Sequence, residues 1–293
     1  MIAVAYLIYG ILLFPLSLIP LPLLYLFSDI LRFILFDLIG YRKKVIRTNL
    51  RNAFPEKSER ELRSIEFKFQ RNFCDIFFAE TIKNLSPFGW HINKMITFRN
   101  QEVMKDQFDK KRNVILVCGH YGNWELMAHL SRGDLFRHHV LAIYKVQSVI
   151  ADTILKIARR RSGVELVPMD SVKYFFEHPN AKPQSIIFIG DQSPPNPKSA
   201  YWTTFLNQET GVLYGTEKMA RIFDYSVVYI EISRKGRGRY VFDFRLITET
   251  PKSTKNGEIT ESHTQLLEQS IRKQPEAWLW SHRRWKHKKP AEK

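Results

Sequence analysis

From residue 114 onward, short β-rich runs alternate with stretches of helical period. The runs "VILVC", "VLAIY", "VELVP" and "SIIFIG" read as strands, and "WELMAHLSRG", "VIADTILKIARRR" and "VKYFFEH" between them read as helices. Strands separated by helices pair in the same direction, so the pattern predicts an α/β fold with a mostly parallel central sheet and flanking helices. After the loop "DQSPPNPKSAYW" a further helix is expected near 214–223. Two consecutive strands, "SVVYIEIS" and "YVFDFRLI", joined by the turn-prone "RKGRGR", predict an antiparallel hairpin added to that sheet. Residues 49–85 read as amphipathic helix, with Glu56, Glu59 and Glu61 early and Ile65, Phe69, Phe73, Ile76 and Phe77 on one side. There is no internal repeat and no linker that demands two catalytic units.

Residues 2–28 carry no charged side chain, and about 20 apolar residues suffice for a helix to cross the hydrocarbon layer. Pro15, Pro20 and Pro22 interrupt the run, so the expectation is one apolar helix to about Phe14, a break, and then "LPLLYLFSDILRFILFDLIG", made amphipathic by Asp29, Arg32 and Asp37 and suited to lie on a membrane. The segment lacks the basic start and small-residue cleavage site of a secretory signal, which predicts a retained N-terminal membrane-anchoring helix. The basic cluster "YRKKVIRTNLR" that follows places the remainder on the cytoplasmic side. The expected division is an anchor and amphipathic segment over 1–41 and an α/β domain over 42–293.

Composition narrows the partners. A chain of 293 residues with 44% hydrophobic residues is too apolar for disorder, and a formal charge of +16 calls for an anionic partner. Near the end, Trp278, Trp280 and Trp285 interleave with Arg283, Arg284, Lys286, Lys288 and Lys289. That mixture suits the membrane-water boundary and anionic headgroups. It also suits single-stranded nucleic acid, but no recognisable nucleic-acid module accompanies it, so membrane is expected and nucleic acid is not. Two cysteines, Cys74 and Cys118, imply no disulfide framework. His120, Glu125 and His129, or His138 and His139, lack a recognised catalytic metal spacing, so neither a metal nor a cofactor is expected.

The stretch "VILVCGHYGNWE", residues 114–125, carries the candidate chemistry. His120 stands at the carboxyl end of an expected central strand, where open α/β sheets bind ligands, and Glu125 falls in the first turn of the next helix. A carboxylate that fixes the imidazole tautomer would make His120 a general base. The bland reading is a surface histidine beside a helix-capping acid. Cys118 offers a competing nucleophile, or simply the buried end of an apolar strand. Arg159, Arg160 and Arg161 end one expected helix and Arg221 another, positions that complement a helix dipole whatever else they do. Asp191 and Gln192 follow "SIIFIG" at another carboxyl end, where they position a hydroxyl or arginines, or merely stabilise a turn. Trp202, Phe205 and Leu206 line an acyl groove or pack.

The segment "GHYGNWE" resembles the H-x4-D/E motif of glycerolipid acyltransferases, in the form found in the lipid A biosynthesis late acyltransferases. "NLRNAFPEKSERE", "ARRRSG", "GDQSP", "GTEKMAR" and "PEAWLWSHRRWK" resemble further family segments in the same order, so the similarity spans nearly the whole chain. The resemblance implies a glycerolipid acyltransferase-like fold. It implies transfer of a fatty acyl chain from acyl carrier protein to a hydroxyl of an anionic glycolipid, a lipid A precursor, without an acyl-enzyme. His120 would take the hydroxyl proton and Glu125 would hold its ring. Asn123, Arg159, Arg161, Asp191, Gln192, Arg221 and Arg284 would bind substrate. The implied location is the inner membrane, with the catalytic domain on its cytoplasmic face. Related enzymes acylate phosphatidylinositol mannosides, other glycolipids or lysophospholipids, so the acceptor, and the group that stabilises the oxyanion, stay open at this point.

Overall fold

The computed structural model describes residues 2–86, 89, 91–131, 137–144, 148–150, 153–154, 156 and 163–290. Seven strands form the main sheet: β1 (Ile96–Arg99), β2 (Val114–Cys118), β3 (His139–Tyr144), β4 (Val164–Pro168), β5 (Gln184–Ile189), β8 (Ser226–Gly236) and β9 (Arg239–Thr248), in the order β1-β9-β8-β2-β5-β3-β4. Only the β8–β9 hairpin pairs antiparallel; every other neighbouring pair in this sheet is parallel. All five residues of β2 are buried. Its side chains alternate, with Ile115 and Val117 in one core and Val114, Leu116 and Cys118 in the other, as a central strand covered on both faces requires. Helices Lys43–Ala53, Glu59–Cys74, Gly215–Phe223 and Glu258–Lys273 supply residues to the first core, and Glu102–Asp109 to the second. A capping box starts Glu59–Cys74: the Ser58 hydroxyl accepts from the Glu61 backbone, while the Glu61 carboxylate accepts from the Ser58 backbone.

Several elements differ from the sequence reading. The stretch after His120 is a 3-10 helix, Trp124–His129, rather than a longer α-helix. Part of the expected loop after residue 190 is a separate antiparallel hairpin, β6 (Tyr201–Phe205) and β7 (Gln208–Val212). Leu206 and Asn207 turn it with φ of 50° and 63°, the two-residue geometry that matches strand twist. Phe205 and Leu206 pack in the core instead of lining an open groove. Edge strand β1 was not legible at all. The expected helix "VIADTILKIARRR" lies largely outside the described residues, and Arg159, Arg160 and Arg161 lie wholly outside them.

The N-terminal break falls later than Phe14. Helical backbone, part of it in π geometry, runs over 2–18 and again over 21–38. Pro22 sits in a first turn, where the missing N–H costs little, and Pro15 follows directly on the π stretch Tyr9–Leu13 without breaking the helical backbone, whereas Ile19 ahead of Pro20 is extended with ψ of 135°. No single helix here is long and apolar enough to cross a membrane. Ile2–Leu18 and Leu21–Leu38 together have the length and composition but are bent by 109°.

Candidate active site

Strand pairing builds the site. Cys118 of β2 is in register with Ile189 of β5, and the Gly190 N–H donates to the Cys118 carbonyl at 3.1 Å. His120 and Asp191 each stand two residues beyond that register pair, so parallel pairing sets them side by side. A Cβ on Gly119 would come within 2.8 Å of the Leu267 side chain and 3.1 Å of Asp191 Oδ2. Gly122 has φ of 62°, and a Cβ there would collide with the Ile232 carbonyl oxygen. The segment 277–279 runs antiparallel past this turn. Gly122 N–H donates to the Ala277 carbonyl at 3.0 Å, and Leu279 N–H donates to the His120 carbonyl at 3.1 Å.

Asp191 is the carboxylate that holds the imidazole. Its Oδ1 lies 2.6 Å from His120 Nδ1; its Oδ2 accepts the His120 backbone N–H at 2.9 Å and the Trp278 indole N–H at 2.7 Å. Burial alone would push the Asp191 carboxyl up, but the His120 charge and these hydrogen bonds hold it down at about 2. An ionised Asp191 can only accept, so the ring in its neutral form presents Nδ1–H to it and keeps the Nε2 lone pair. Gln192 Nε2 lies 3.2 Å from that Nε2. The Trp124 ring packs edge-on against the imidazole, centroids 4.9 Å apart. The His120 side chain is 15% exposed, enough to meet a substrate from one side.

The expectation that Glu125 steers His120 is therefore corrected: both atoms of that arrangement which matter, Nδ1 and its acceptor, belong to His120 and Asp191. Local spacing favoured Glu125, but strand register brings in an acid 71 residues away. Glu125 is half-buried at the start of the 3-10 helix and has an interaction of its own. Asn123 is fully buried and donates its side-chain amide to Glu80, so it does not face a substrate. Glu80, which no motif or spacing singles out, also accepts from the Tyr25 and Tyr240 hydroxyls and the Gly238 N–H. Arg221 pairs loosely with buried Glu217 at 3.8 Å and makes no contact with His120 or Asp191.

Arg284 is 2% exposed and donates to Thr210 Oγ1 at 2.7 Å and the Gly211 carbonyl at 2.8 Å. Burial lowers its guanidinium to about 10, opposed by the Asp191 charge. Arg284, Asp191 and His263 line a cavity of about 10 Å³ together with Cys118 and Tyr229, room for about one water. Trp278 and Trp280 are core residues, 2% and 0% exposed, which corrects their expected place at a membrane boundary. Cys118 is 3% exposed, with its Sγ 3.2 Å from Met127 Sδ, and burial pushes its thiol far above the ordinary range. That is the environment of a packed cysteine, not of a nucleophile.

Residues 2–287 match the family model described as bacterial lipid A biosynthesis acyltransferase. The chain is also 23% identical over 273 residues to an Escherichia coli (strain K12) protein named lipid A biosynthesis lauroyltransferase, an alignment covering 91% of this chain and 86% of that one. With the family match running through nearly its whole length, the chain belongs to the bacterial lipid A biosynthesis acyltransferases.

Proposed function

We propose that the protein moves a fatty acyl chain from an acyl carrier protein thioester to a hydroxyl of a lipid A precursor at the cytoplasmic face of the inner membrane. The observation that carries this reading is the His120–Asp191 pair, an oriented imidazole at the carboxyl ends of two paired parallel strands, with its Nε2 turned away from Asp191 toward the Gln192 amide. His120 Nε2 takes the hydroxyl proton as the oxygen attacks the thioester carbonyl. The tetrahedral intermediate collapses with loss of the thiolate, and the imidazolium returns the proton to that sulfur. An ester and a free thiol result, the imidazole is regenerated, and no acyl-enzyme forms. Asp191 stabilises the transient imidazolium without itself accepting the proton. Gln192 yields its place at Nε2 to the acceptor hydroxyl.

Membrane attachment is part of the proposal. Among the described residues, most large exposed apolar side chains fall within 2–39, including Leu7, Ile11, Leu26, Phe27, Phe33 and Ile39. Exposed apolar side chains concentrated in one segment call for a covering, and a bilayer supplies it. Aromatic rings lead from this segment to the site: Phe36 to Phe73 at 5.7 Å, Phe73 to Phe77 at 4.5 Å, Phe77 to Trp124 at 5.6 Å, and Trp124 to His120. Such a wall suits lipid chains approaching the base from the membrane side.

The test is to incubate membranes containing the protein with labelled acyl carrier thioesters and a tetra-acylated lipid A precursor, and to weigh the products. Wild-type protein yields a product heavier by one acyl group, and His120→Ala yields none while staying folded and membrane-bound. Absence of any new acylated lipid from the wild-type protein, with any carrier thioester, would overturn the assignment.

A further inference from the structure

A second basic site lies between the Glu59–Cys74 helix and the tip of the β8–β9 hairpin. A cleft of about 280 Å³ is lined by Lys68, Arg71, Arg234, Lys235, Arg237 and, on the opposite side of the charge balance, Glu276. Its walls are fixed. Arg234 donates to Asp75 at 2.7 Å, and Arg237 donates to both Asp75 and Asp29. Gln274 grips the Arg234 backbone from both sides, accepting its N–H at 3.3 Å and donating to its carbonyl at 3.1 Å. Two carboxylates, Asp29 and Asp75, offset the three arginines. Lys68 and Lys235 are exposed and hold no partner among the described residues. The cleft therefore carries uncompensated positive charge on a rigid frame, which is what a phosphate-sized anion requires.

The surroundings select the kind of anion. Asp29, which accepts from Arg71 and Arg237, belongs to helix Leu21–Arg32, whose Leu26, Phe27 and Ile30 side chains are 57%, 48% and 50% exposed. Phe67, next to Lys68, is 50% exposed. Cations on the rim of an apolar surface match a molecule that is anionic at one end and greasy at the other. We propose that this cleft binds the phosphate headgroup of an anionic lipid whose acyl chains lie along the outward side chains of Leu21–Arg32. None of its lining residues contacts His120 or Asp191, and the proposal stands whether or not His120 is the catalytic base.

The test uses the full chain in neutral detergent micelles, with retained lipid counted by native mass spectrometry. Dioleoyl phosphatidic acid is expected to be retained in preference to dioleoyl phosphatidylcholine. Lys68→Ala with Lys235→Ala is expected to lower that retention roughly tenfold or more, from the attraction of basic residues to lipid phosphate. Lys252→Ala with Lys255→Ala, which removes the same charge elsewhere, is expected to leave it unchanged. Inorganic phosphate at the concentration of the lipid is expected not to displace it. Equal retention by the Lys68/Lys235 variant, or equal loss by the Lys252/Lys255 variant, would overturn the site. Displacement by equimolar inorganic phosphate would overturn the lipid and leave a site for free phosphate.

Discussion

Three hydrogen bonds converge on the Asp191 carboxylate, two from His120 and one from the Trp278 indole, and they leave the imidazole one tautomer. Removing the indole donor should loosen that geometry without removing the acid. Trp278→Phe is expected to lower kcat about tenfold with little change in KM, the cost of one hydrogen bond to a charged group; an unchanged kcat would mean Asp191 is held by other contacts. Cys118→Ala is expected to keep near-wild-type turnover, because the direct mechanism gives the thiol no task; loss of transfer accompanied by an acylated wild-type Cys118 would restore the nucleophile reading. His120 itself was legible in sequence, from its place after an apolar run and between two glycines. Its acidic partner was not. Spacing along the chain shows neighbours such as Glu125, whereas the register Cys118↔Ile189 that delivers Asp191 exists only once the strands have paired.

At the scale of elements, Glu80 ties three parts together. Tyr25 comes from the N-terminal helices, Tyr240 from β9 and Asn123 from the turn after β2, and all three donate to this one fully buried carboxylate. Burial pushes the Glu80 carboxyl up, and the hydrogen bonds and Arg234 oppose that shift. Glu80→Ala would strand these donors, so it should destabilise the protein by about 3 kcal/mol or more in denaturant titration, as breaking a buried polar network does. A loss below about 1 kcal/mol would show that the donors find other partners. The strands of the parallel sheet and the β8–β9 hairpin could be read from apolar runs and turn residues. The β6–β7 hairpin could not, because Leu206 and Asn207 replace the glycine that marks such a turn. Proline likewise misplaced the N-terminal break: the helical backbone carries through Pro15 just after a π stretch, and the extended Ile19 before Pro20 ends it.

For the whole molecule, net charge and buried histidines set the response to solution conditions. If the +16 surface gathers an acidic carrier and a phosphorylated lipid, KM for both should rise with added salt; a salt-independent KM would deny that role. His138, His263 and His282 are each lowered to about 4, in every case first by burial. Arg112's carbonyl works against this at His138, and the Asp191 charge at the other two. Their folded-state pKa lies below the unfolded value, so the stability they contribute is present above pH about 6.5 and is lost as pH falls toward 4. Tm should therefore drop across that window, and a flat Tm would contradict the neutral burial of these rings. Single-turnover transfer with saturating carrier thioester and acceptor, comparing Asp191→Asn with Glu125→Gln, decides which acid orients His120. Asp191→Asn is expected to slow the chemical step by about 10⁴-fold, as loss of the orienting acid does in a histidine-carboxylate pair, while Glu125→Gln slows it far less. Near-normal chemistry in Asp191→Asn together with its abolition in Glu125→Gln would contradict the pairing of His120 with Asp191.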